Sequence, residues 1–309
     1  LNIADMRKLS DDNGFILCYP EGTPLESGEL HWNPAISLSN SKSSTNDISF
    51  IDFLINYLEE KLSIDSSRVY ATGYSNGAGM AYSLAFYLSD KIAAVAPVSG
   101  SMYEYINDQN IDFESTSVIN FNGDKDSERP FGGIDGWFNS VPDSVDFWIE
   151  INKITNESIS QTLTTENGQE IEYSHVINTE KKIGVESYKI INGGHYWFDF
   201  TLNGNSFNEL IWNSLSKYSQ EENTSNPKSN SDSIFIDFAE HESEPTSDLI
   251  EDEVTEPYQT VSASSEEISF SPGKDINLDL VYTTSDTQNA LPGLGLKVHY
   301  DSSIFTPSG

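Results

Sequence analysis

Residues 69–82 read Val69-Tyr70-Ala71-Thr72-Gly73-Tyr74-Ser75-Asn76-Gly77-Ala78-Gly79-Met80-Ala81-Tyr82. The β-branched and aromatic start suits a strand, expected over 68–72. The small-residue run after Ser75 suits a helix, expected over 76–88. Between them, Gly73-Tyr74-Ser75-Asn76-Gly77 fits G-x-S-x-G, a sharp strand-to-helix turn with serine at its apex. Such a turn lifts the hydroxyl clear of the sheet, and Gly73 and Gly77 are expected to remove side chains that would collide across it. The helix start brings partial positive charge beside the serine. The backbone N–H of Asn76 is the expected first donor to an oxyanion. An ordinary glycine turn is the bland alternative, and the strand and helix on either side weigh against it.

A serine hydroxyl needs a base. His195, in Gly193-Gly194-His195-Tyr196-Trp197, follows a strand expected over 186–191 and is the candidate. His31 precedes the serine, His175 falls in an expected hairpin, and His241 and His299 lie in the acidic and terminal segments. The acid that orients the imidazole should lie between serine and histidine, on the loop after a strand expected over 117–121. That loop reads Asn122-Gly123-Asp124-Lys125-Asp126. Asp126 is preferred, Asp124 is the near alternative, and Asp135 is a distant third.

Outward from this centre, apolar strands at 15–19 and 92–98 and helices at 47–62, 144–154 and 207–218 complete an alternating pattern. Ile48, Ile51, Leu54, Ile55 and Leu58 give the first of these helices its apolar stripe, with Asn46 or Asp47 as cap. Alternation of strand and helix predicts an α/β fold: a mainly parallel sheet covered by helices on both faces, over residues 1–219. Residues 221–260 hold twelve acidic residues against one basic, Lys228. The segment 220–260 is therefore expected to be a largely disordered acidic linker, interrupted by Ile234-Phe235-Ile236. Alternating runs at 276–282 and 294–300 mark 261–309 as an incomplete, β-sandwich-like all-β module.

Four stretches together resemble the polyhydroxybutyrate depolymerase-like and feruloyl esterase-like α/β-hydrolases. They are Tyr19-Pro20-Glu21-Gly22 after the first strand, the Ser75 turn, 122–133 with Pro130-Phe131 and Gly132-Gly133, and Gly193–Trp197. The resemblance covers about residues 1–218. It implies an α/β-hydrolase fold and a Ser75, His195 and Asp126 triad; with no Walker loop, dinucleotide fingerprint or zinc-spaced His/Cys cluster in the sequence, no cofactor or metal is expected. It also implies that the family's first strands, and the segment giving a second oxyanion donor, lie before residue 1. Trp32-Asn33 resembles the family's W-N segment, so Trp32, with Tyr196 and Trp197 flanking the base, is expected to meet substrate. Asn122 stands where the family has histidine, and Phe198-Asp199 where Pro-Gly usually follows the tryptophan.

Composition bounds the partners. Lys and Arg total 16 against 49 Asp and Glu, a formal net charge of −33. No basic footprint is available for nucleic acid or for anionic membrane. A single cysteine, Cys18, leaves no intrachain disulfide. No apolar run approaches the roughly 18 residues of a spanning helix. These features lead to a secreted serine esterase acting on polymeric or aryl esters, whose signal peptide is not in this chain. The C-terminal module is a possible attachment to a surface or polymer. A serine peptidase of the related oligopeptidase group and a non-catalytic surface module are the alternatives.

Overall fold

The computed structural model describes residues 4–34, 42, 45–62, 64–108, 111 and 113–220, and the strand backbones at 259–263, 276–284 and 294–299. The chain opens with α1 (Arg7–Asn13), β1 (Leu17–Tyr19), β2 (Thr23–Pro24) and β3 (Leu30–His31). Then come α2 (Asp47–Lys61), β4 (Val69–Tyr74), α3 (Asn76–Tyr87), β5 (Ile92–Val98), β6 (Ser117–Gly123) and α4 (Val141–Ile151). The unit closes with β7 (Ile159–Thr164), β8 (Glu170–Asn178), β9 (Ile183–Ile190), β10 (Thr201–Leu202), β11 (Asn205–Ser206) and α5 (Phe207–Leu215).

Six strands form the central sheet in the order β4-β5-β6-β9-β8-β7. β4, β5, β6 and β9 run parallel, and the β7–β8 hairpin adds two antiparallel strands beside β9. Every residue of β5 and β6 is buried, as expected of parallel strands covered on both faces. The faces divide by residue parity. Val95, Val118 and Val185 pack with Leu54, Phe86 and Trp148 under α2, α3 and α4. Ala96, Ile119, Phe121 and Tyr188 pack with Phe207, Ile211 and Leu215 under α5. Fully burying one such aliphatic or aromatic side chain is worth about 1.5–3 kcal/mol, so these two clusters hold the layers together.

The fold is α/β, with a mixed and mainly parallel sheet between helical layers. α2 is capped by Asn46, whose side chain accepts from the Ser49 N–H at 3.1 Å. Two expectations are corrected. The strand at 15–19 shortens to Leu17–Tyr19 and does not join the central sheet; it pairs antiparallel with 294–299. The helix expected over 144–154 starts three residues earlier, because the Ser140 side chain caps it and Pro142 fits its first turn. Strands 259–263, 276–284 and 294–299 pair antiparallel in succession. The patch Ile234-Phe235-Ile236 lies outside the described residues.

The carboxyl ends of β4, β5, β6 and β9 lie at one edge of the sheet because these strands are parallel. Their following loops carry Ser75, Ser99, Asp126 and His195. In open α/β sheets that edge is where ligands bind.

Candidate active site

Ser75 occupies the turn from β4 into α3 with φ 53° and ψ −109°. A non-glycine residue held there stores about 1–3 kcal/mol of strain. The neighbours fix it: the Ser75 N–H donates to Val98 O at 3.0 Å, and Ser75 O accepts from the N–H groups of Ala78 and Gly79. A Cβ on Gly73 would lie 2.3 Å from the Gly77 carbonyl oxygen, so only glycine fits at Gly73. The same role expected of Gly77 is corrected, since a Cβ there would meet nothing within 4 Å.

His195 Nε2 lies 2.9 Å from Ser75 Oγ, and His195 Nδ1 lies 2.8 Å from Asp126 Oδ2. An ionised carboxylate only accepts, so Nδ1 carries the hydrogen and Nε2 offers its lone pair to the hydroxyl. The Asp126 side chain is fully buried. Its second oxygen accepts from the N–H groups of Glu128 at 2.9 Å and Arg129 at 2.8 Å. Asp124 turns elsewhere, accepting from the Asn192 N–H at 2.6 Å. Asp135 is exposed, and no described hydrogen bond joins it to His195.

The histidine loop is clamped from three strands. A Cβ on Gly123, at the end of β6, would lie 2.2 Å from Gly193 O. Tyr74 OH donates to His195 O at 2.9 Å, and Ser99 Oγ donates to Tyr196 O at 2.6 Å. Asn122 Nδ2 donates to Gly100 O at 2.9 Å, bracing the loop after β5. Sequence reasoning passed over Tyr74 and Ser99; their positions at the ends of β4 and β5 were the available signal.

Asn76 joins the serine turn to the Trp32 loop. Its Oδ1 accepts from the Trp32 N–H at 2.7 Å and its Nδ2 donates to Trp32 O at 3.0 Å. Trp32 stacks on Phe50 of α2. The adjacent Asn33 N–H donates to Asp47 Oδ2 at 2.6 Å. Burial raises the Asp47 carboxyl above its ordinary value, and the Asn33 bond partly offsets this. Tyr196, next to His195 in the chain, is 63% exposed. Trp197, partly buried, also packs on α5: its Nε1 donates to Asn208 Oδ1 and its ring meets Phe207 edge-on. Glu128 also lies nearby, its Oε2 3.7 Å from His195 Nε2 and its side chain 70% exposed.

A hydroxyl, a base facing it and an acid holding the base make a proton relay that can activate Ser75. Among the described residues, no group of three or more His, Cys, Asp or Glu could hold a metal. No described helix is long and apolar enough to cross a membrane.

No known family model matches the chain. It is 42% identical over 55 residues to feruloyl esterase D of Neurospora crassa, covering 18% of this chain and 19% of that protein. It is 40% identical over 95 residues to feruloyl esterase B of Thermothelomyces thermophilus, covering 29% of this chain and 30% of that protein. A bifunctional acetylxylan esterase/xylanase of Neocallimastix patriciarum is 32% identical over 92 residues, covering 30% of this chain and 12% of that protein. The chain thus spans less than a third of the length of each of these curated relatives.

Proposed function

We propose that this chain is a serine-dependent carboxylic ester hydrolase on an α/β-hydrolase fold. Ser75 is its nucleophile, His195 its general base and acid, and Asp126 the group that holds the imidazole. The observation that carries the reading is the continuous contact from Ser75 Oγ through His195 to Asp126, at 2.9 and 2.8 Å, on a strained strand-to-helix turn. Nε2 takes the hydroxyl proton as Oγ attacks the ester carbonyl, and gives it to the departing alkoxide. Water then repeats the cycle on the acyl-enzyme, releasing the acid and restoring Ser75. The Asn76 N–H, at the start of α3 where intrahelical acceptors are lacking, would meet the oxygen on which charge develops.

The similarity to feruloyl and acetylxylan esterases supports ester chemistry. We place the substrate among aryl or acyl esters carried on a polymer outside the cell, polyhydroxyalkanoate-like polyesters included. Exposed Tyr196, the pinned Trp32 and Tyr74 beside His195 are aromatic groups that such an acyl or aryl moiety could meet. Ser75→Ala is expected to abolish hydrolysis of p-nitrophenyl acetate and methyl ferulate, together with labelling by a fluorophosphonate. Wild-type turnover in that variant would sink the assignment. Faster cleavage of matched peptides than of esters would move the reading to a peptidase.

A further inference from the structure

Asp126 does two things at once. One carboxylate oxygen holds His195 Nδ1, while the other closes a turn by accepting the N–H groups of Glu128 and Arg129. That turn brings the Glu128 carboxylate round to the opposite ring nitrogen, 3.7 Å from Nε2, which is the atom facing Ser75 Oγ. Glu128 is 70% exposed beside a His195 side chain that is 10% exposed, so its charge is open to solvent while standing next to Nε2. The Arg129 guanidinium lies over the Phe138 ring at 4.6 Å and, among the described ion pairs, makes none with Glu128, its charge reaching His31 and Tyr103 instead. The Tyr74 hydroxyl also registers this charge: burial first, and then Glu128, raises its ionisation above the ordinary tyrosine value.

Resting on the esterase reading above, we propose that Glu128 is the residue that sets charge selectivity, disfavouring esters with a carboxylate near the scissile carbonyl and favouring neutral and cationic ones. A like charge about 5 Å away in a water-accessible site changes relative rates about five- to tenfold.

The test compares three p-nitrophenyl esters: butyrate, hemisuccinate and 4-(trimethylammonio)butyrate. In Glu128→Gln, the kcat/KM ratio of hemisuccinate to butyrate is expected to rise about five- to tenfold, and that of the cationic ester to butyrate to fall similarly. Glu128→Lys should carry both ratios further. The differences should shrink in about 0.5 M NaCl. Glu157→Gln removes an equal charge far along the chain and serves as the control for net charge. Unchanged ratios in Glu128→Gln, or equal changes in Glu157→Gln, overturn the role of Glu128 and leave the esterase reading standing. Wild-type protein that cleaves none of the three esters overturns both.

Discussion

Asp126 spends one oxygen on the imidazole and the other on two backbone N–H groups, so its amide replacement separates the two tasks. Asp126→Asn can still close the turn through its remaining oxygen. Its NH₂, facing Nδ1, would force the hydrogen onto Nε2 and leave Ser75 without a base. Turnover is expected to fall about 10⁴-fold with circular dichroism unchanged. Asp124→Asn keeps an acceptor for the Asn192 N–H, and only a few-fold loss is expected. Equal losses in the two variants would refute this division of roles. The turn at 69–77 could be read from sequence because the strand and helix signals beside it are local. Asp124 and Asp126 share one loop, and nothing in their spacing records which N–H groups fold toward each carboxylate. Glu128 escaped notice for the same reason, since its position opposite Nε2 follows from the turn that Asp126 closes.

Among the elements, β6 and the loop after β9 make the closest approach at the site. Gly123 must lack a side chain because Gly193 O occupies the space where a Cβ would be, 2.2 Å from it. Gly123→Ala is expected to push the histidine loop away, lengthening the Nε2–Ser75 contact. A displacement of about 1 Å costs of order 10² in rate. Stability should fall by about 1–3 kcal/mol, as for other overpacked positions. Kinetics and denaturant titration on one preparation would check this, and unchanged turnover would show that the loop can give way. Apolar runs made β5, β6 and the α2 stripe plain in the sequence. The start of α4 was not, because Ser140-Val141-Pro142 reads as loop until its cap is seen. The partner of β1 was hidden more deeply, being some 280 residues away in the chain.

At the scale of the whole molecule, 49 acidic residues against 16 basic ones leave a self-repelling surface. Raising NaCl from about 0.02 to 0.5 M shortens the reach of that repulsion from roughly 20 Å to under 5 Å. The melting temperature is expected to climb by several degrees. A flat or falling Tm across that range would mean that the charges are already dispersed or paired. One further consequence lies in the hydrogen bonds from Tyr74 and Ser99 to the carbonyls of His195 and Tyr196. The serine turn and the histidine loop are fastened to each other through main chain as well as side chain, so opening of either is expected to release both as one cooperative unit.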